Sequence, residues 1–277
     1  GTARLIYPQA VGGDIGCGML AVPFEVDAEC LADGTVAARI LARLARVVPA
    51  RRWNRAAVPS PPAALVADAL SHPRLDSHWR RQGTLEFATL GSGNHFSELQ
   101  RDSEGRLWLM VHSGSRAMGP AIRDHHLARA STSSSGLRAL EADSDEGRAY
   151  LHDAAWARRY AAASRHHIAL NIGSVLNTTL AAKLDWDRAI TTDHNHVEHE
   201  SHGAGALWVH RKGAMAAARG QSGVLPGSMG TMSFHVEGRG CASALCSSAH
   251  GAGRLFSRTE ARHRVNAREL RRQMAGV

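Results

Sequence analysis

Aromatic residues make up only 5% of this 277-residue chain, which argues against a platform of side chains built to stack bases. No apolar stretch approaches the roughly 20 residues that cross a bilayer, and no charged-then-apolar leader opens the sequence, so no membrane partner is expected. Four cysteines, Cys17, Cys30, Cys241 and Cys246, are too few for a disulfide framework in a chain of this size. A reducing cytoplasm is the expected compartment, with a thiolate available as a ligand. Gly1, followed almost at once by the strand-like run Arg4-Leu-Ile-Tyr-Pro8, leads us to expect a segment of a longer polypeptide.

What is present is a 44% hydrophobic composition, a net charge of +8 and 17 histidines. The charge is carried mainly by arginine, whose guanidinium suits phosphate oxygens; an Arg- and Ala-rich genome produces the same number, so charge alone leaves both readings open. Histidine serves as a neutral metal ligand and as a proton carrier near neutral pH, so the positions of the histidines matter more than their count.

Short apolar runs at 19–26 and 106–112, and shorter ones at 206–210 and 232–237, read as buried strands. Val36, Ile40, Leu44 and Val47 recur at helical spacing before Pro49; 146–170 has a long helical pattern and 258–274 reads as one basic surface helix. Strands and helices do not alternate as βαβ units, which predicts an α+β fold, with mixed β-sheets packed centrally and helices at the periphery. The Ser/Thr run 131–135, Gly136 and the acidic stretch 141–146 read as a flexible surface excursion within one domain, 1–277.

Several glycine-buttressed polar clusters carry chemistry. Asp14-Ile-Gly-Cys17 places a carboxylate and a thiol in a glycine-rich turn, a donor pair for a transition metal or, equally, a tight turn with a buried cysteine. Gly91-Ser-Gly-Asn-His95 and His112-Ser-Gly-Ser-Arg116 repeat the theme. The run 193–202 offers His194, His196, His199 and His202 without the helical two-histidine spacing of a zinc protease, and reads as one or two ligands within a solvated loop. Pro226-Gly-Ser-Met-Gly230 could cradle phosphate with backbone amides, or be an ordinary turn. His250-Gly-Ala-Gly-Arg254 sets an imidazole on a bare backbone beside a guanidinium, which suits a histidine that accepts a phosphoryl group.

Taken in order, VGGDIGCGM (11–19), LGSGNHFSEL (90–99), HSGSR (112–116), DHNHVE (193–198), HRKGA (210–214), PGSMGTMS (226–233) and HGAGRLFSR (250–258) resemble the RtcB family of RNA ligases. The resemblance implies two manganese ions held by Asp14, Cys17, His95, His112 and His194, with Cys17 bridging. It implies GTP held by Asn94, His95, Phe96, Ser97 and Glu98, by His194 and Asn195, by Pro226, Gly227, Ser228 and Met229, by Ser233, and by His250, Gly251, Ala252 and Gly253. His250 would attack the α-phosphorus, so its protonation should slow the step. The implied partners are RNA with 3′-phosphate or 2′,3′-cyclic phosphate and 5′-hydroxyl ends, and an activating partner protein.

Ala117 stands where the family has a glycine, and segments before the first metal motif and after Met274, including a guanine-contacting lysine, are expected in the full-length protein. This shortened organisation is similar to the branch linked to a peptide-release-factor homologue, which points to repair of damaged RNA in place of tRNA splicing. Two other classes compete. A two-metal phosphohydrolase or phosphodiesterase would use the same ligands but would not label the protein, and a non-catalytic metal-containing RNA-binding protein would more often show a closed cysteine/histidine site.

Overall fold

The computed structural model describes residues 1–203, 205–251 and 256–275. Its centre is a four-stranded antiparallel sheet in the order Phe96–Arg101, Arg106–Ser113, Gly18–Asp27, Ile190–Asp193. Side chains alternate across the sheet: Leu20, Val22, Leu107, Leu109 and Val111 enter the larger core, while Met19, Ala21, Trp108 and Met110 form a smaller one with Val224. Both faces of the two middle strands are therefore buried, which accounts for their near-continuous apolar sequence.

The larger core is closed by the helix Asp145–Leu180. Ser144 caps it by accepting a bond from the Gly147 amide at 3.0 Å. Trp156, Tyr160, Ile168, Ile172 and Leu176 bury one side, each worth roughly 1.5–3 kcal/mol against exposure. The helix runs ten residues past the expected 170, because Ile172, Val175 and Leu176 continue its buried stripe until Ala181 turns left-handed at φ 53°. The shorter helices add smaller buried faces at the periphery: Met118–Leu127 contributes Met118 and Ile122, and Gly34–Val47 buries only Ile40 fully.

Three local expectations are corrected. The excursion at 131–146 is ordered: Ser131–Thr132 pairs with Arg138–Glu141, which pairs with Leu5–Ile6. Its Ser/Thr-rich composition reflects a hairpin lacking a second buried face. The run 195–202 is a strand paired along its length with Gly205–Lys212, not a loop. The basic helix at 258–274 is two helices, Arg258–Arg264 and Ala267–Gln273. Asn266 separates them, its side chain accepting from the Glu269 amide at 2.9 Å and so starting a new helix.

Candidate metal centre and nucleophile

Sheet register brings four segments to one end of the central sheet. Met19 and Phe96 both lie opposite His112, and Gly18 lies opposite both Ser113 and Asp193. Cys17 and His95 therefore sit just ahead of two strands, His112 at the end of a third and His194 just beyond a fourth. The His194 amide donates to the Cys17 carbonyl at 2.8 Å, extending the ladder by one step.

Cys17 Sγ is 3.2 Å from His112 Nε2 and 3.4 Å from His95 Nε2. His112 Nε2 is 3.2 Å from His194 Nε2, and His95 Nε2 is 2.8 Å from Asp14 Oδ2. Two donor groups result, Cys17/His112/His194 and Asp14/Cys17/His95, sharing the sulfur. All five residues expected as metal ligands are thus brought together.

Burial holds His112 down to about 4, with His95 adding to the effect, and holds His194 down to about 2, with His112 adding to it. Both rings are neutral at neutral pH. His112 donates Nδ1–H to the Asn94 carbonyl at 2.9 Å, so its Nε2 lone pair faces the cluster. Burial raises the Asp14 carboxyl, but the hydrogen bond and charge of His95 outweigh it and leave it below the usual range. Burial, then Asp14, pushes the Cys17 thiol well above its ordinary value. A thiol, two neutral imidazoles and a carboxylate packed this closely repel one another or stay protonated without a cation. Their sulfur, nitrogen and oxygen donors fit a transition metal, which would deprotonate the thiol on binding.

Two glycines make the packing possible. A Cβ on Gly114 would lie 2.1 Å from Asp14 Oδ1. At Gly91, φ is +109° and a Cβ would lie 2.3 Å from His95 Nδ1 and 2.5 Å from Arg116 Nη1.

His250 stands beside this cluster, its ring centroid 4.2 Å from that of His194 and 6.4 Å from that of His112. Its Nδ1–H donates to the Gly213 carbonyl at 2.7 Å, which leaves Nε2 with a free lone pair. Gly213 is itself held, its amide donating to Asn195 Oδ1 at 2.9 Å, while Asn195 Nδ2 donates to the Asp14 carbonyl at 3.0 Å. One side chain therefore ties the metal turn to the support of His250.

The other residues expected to hold a nucleotide are arranged unevenly. Phe96 packs edge-on to His112 with centroids 5.5 Å apart. Ser97 and Glu98 follow on the same edge strand, and burial raises the Glu98 carboxyl despite a bond to Gln100. Pro226 meets Gly251, whose added Cβ would lie 3.0 Å from the Pro226 carbonyl. The Gly227 amide donates to Ser233 Oγ at 3.1 Å and the Ser228 amide to Thr231 Oγ1 at 2.7 Å, so these amides are engaged within the loop. Met229 is exposed. Ala252 and Gly253, with Arg254, lie outside the described residues.

Of the remaining histidines in the run 193–202, His196 is buried with Nδ1 2.7 Å from Asp193 Oδ1, His199 packs at a tilt against Trp208, and His202 meets Glu200 at 3.0 Å. Sequence reasoning missed Arg165. It is 2% exposed, and its Nη1 donates to the carbonyls of Gly16 at 2.8 Å and Ser113 at 2.9 Å, joining the turns that carry Cys17 and His112. Nothing separates it in sequence from the other arginines of its helix.

Fold and site together define a mixed α/β protein with a buried thiol, imidazole and carboxylate centre and an adjoining histidine of fixed tautomer. The profile of the family described as "tRNA-splicing ligase RtcB" matches residues 62–277. The chain is 32% identical over 303 aligned positions to RNA-splicing ligase RtcB of Escherichia coli K12, covering 100% of this chain and 74% of that protein. It is 33% identical to RNA-splicing ligase RtcB2 of a second Escherichia coli strain, covering 97% of this chain and 67% of the relative. It is 29% identical to the Mycobacterium tuberculosis RNA-splicing ligase RtcB, over 70% of this chain and 54% of the relative. The chain belongs to the RtcB family. Among its described helices none is long and apolar enough to cross a membrane.

Proposed function

We propose that the chain is a GTP- and manganese-dependent RNA ligase that joins 3′-phosphate or 2′,3′-cyclic phosphate ends to 5′-hydroxyl ends through a histidine-linked GMP on His250. The observation that carries this reading is the His250 Nδ1 bond to Gly213, which engages that nitrogen and leaves Nε2 as the ring nitrogen available beside the donor cluster. A two-metal phosphohydrolase or phosphodiesterase has no need of a nucleophilic histidine held in this way, and a non-catalytic binder has no need of one either.

Asp14, Cys17, His95, His112 and His194 would hold the metal, which when bound supplies Lewis acidity and neutralises phosphate charge. His250 Nε2 forms a bond to the α-phosphorus of GTP while the bond to the β-phosphate oxygen breaks and pyrophosphate leaves. An RNA 3′-phosphate oxygen then takes the GMP, breaking the phosphorus–nitrogen bond. The 5′-hydroxyl oxygen attacks the RNA phosphorus, loses its proton to solvent and displaces GMP. Where the end is a 2′,3′-cyclic phosphate, water first opens it to the 3′-phosphate.

The test is incubation of the full-length protein with manganese and α-labelled GTP. The expected result is acid-labile, alkali-stable label on the protein that disappears in His250→Ala; label that survives this substitution overturns the assignment.

A further inference from the structure

From Gly34 to Ala67 the chain contains no aspartate or glutamate and carries Arg39, Arg43, Arg46, Arg51, Arg52 and Arg55. All six are exposed, and none of them makes an ion pair among the described residues. Arg39, Arg43 and Arg46 stand at i, i+4 and i+7 on the helix Gly34–Val47, one exposed stripe of about 10 Å beside the face that buries Ile40, about a quarter turn from it. The supporting helix and its exit add no acid, since residues 154–184 contain no carboxylate; Asn171 Nδ2 bonds the Val47 carbonyl and Arg43 bonds Thr179.

This stripe leads to the site. The carbonyls of Pro49 and Ala50 accept from the amides of Leu90 and Gly91 at 3.0 and 2.8 Å, and Trp53 bonds back to Leu85 and Phe87. Arg51 and Arg52 are thereby fixed beside the glycine turn that packs against His95. The carboxylates that bound this stretch are already engaged: Asp33 by the Thr35 amide, Glu86 by the Ala117 amide and Gln82, Asp68 by Arg159 and His152. Uncompensated guanidinium groups in a row, with no acid to repel phosphate, fit a polyanionic strand.

We propose that this face, from Arg39 along the helix to Arg51 and Arg52, is the track on which the RNA backbone lies as an end enters the site. The proposal rests on the ligase reading for its ligand and adds where the strand runs.

The experiment measures binding of a 5′-hydroxyl oligoribonucleotide across a salt series, using the unaltered protein, Arg51→Glu/Arg52→Glu, Arg39→Gln/Arg43→Gln/Arg46→Gln, and the charge-conserving Arg51→Lys/Arg52→Lys. Thermal melting checks each fold. Each charge-removing variant should bind on the order of tenfold more weakly, with the logarithmic salt slope shallower by about 0.7 for every phosphate that is no longer neutralised. The lysine variant should keep most of the affinity. Unchanged affinity and slope in both charge-removing variants overturn the track. Absence of GTP labelling in the unaltered protein, with the weaker binding of both variants still observed, would sink the ligase reading and leave the RNA-binding face standing.

Discussion

His250 donates Nδ1–H to the carbonyl of Gly213 at 2.7 Å, and that one bond decides which ring nitrogen is free. Gly213 adopts φ +68°, and a Cβ there would lie 3.3 Å from both Cε1 and Nδ1 of His250. Gly213→Ala should therefore turn the ring without touching any metal ligand. Displacement of a reacting group by about 1 Å costs on the order of 100-fold. The rate of labelling by GTP should fall toward that extent while manganese affinity, measured by calorimetry, stays within a few-fold of the unaltered protein. Equal loss of both would show that Gly213 serves the whole site.

Cys17 belongs to both donor groups, so its replacement affects both at once. Cys17→Ser should lower the bound manganese from two ions per chain to less than one, measured by elemental analysis after dialysis. His95→Ala should spare the Cys17/His112/His194 group and retain one ion. Equal stoichiometry in all three proteins would refute a shared sulfur.

Protonation gives a third expectation. His112 and His194 are held down by burial to about 4 and about 2, and burial also holds His210 down to about 4. His210 Nε2 accepts from the Tyr7 amide at 2.9 Å and so must be neutral in the fold. The unfolded chain takes up these protons near pH 6.5, whereas the folded chain resists down to about 4, so their contribution is complete above 6.5 and is lost as pH falls through that window. Each proton costs about 1.4 kcal/mol per pH unit. The melting temperature of the metal-free protein should fall steadily from pH 6.5 to 4.5; a flat profile would contradict the buried neutral rings.

Arg165 supplies a fourth. Removing its guanidinium leaves the Gly16 and Ser113 carbonyls buried without a donor, a cost of roughly 1–3 kcal/mol for each. Arg165→Met should lower stability to chemical denaturation by about 2–5 kcal/mol and weaken manganese binding in the protein that remains folded. Arg165→Lys, which can reach one carbonyl, should fall between. Native stability in Arg165→Met would show that the two turns hold themselves.

Asp14, Cys17, His95 and His112 were legible as candidate donors because they sit in short glycine-buttressed motifs, and glycine beside a polar residue marks a backbone forced close to something. Gly114 against Asp14 and Gly91 against His95 show what that was. His194, in a run without glycine, was singled out only by the family resemblance. The central strands were legible from their apolar runs. Arg165 was hidden, since burial of one arginine among many leaves no trace in spacing. The strand Asn195–His202 was hidden by its charge: one face sets His196 and Glu200 against the buried Arg211, so polar residues occupy positions where an alternating apolar pattern would have announced a strand. The break at Asn266 was obscured by the arginines on both sides of it.

The proposed chemistry turns on a bond between His250 Nε2 and GMP. That bond is observed by labelling the protein with GTP and manganese, digesting it under alkaline conditions and locating the labelled peptide by mass spectrometry, with phosphorus–proton NMR to identify the ring nitrogen. GMP should be found on His250 at Nε2. GMP on another residue, or at Nδ1 of His250, would contradict the proposed mechanism.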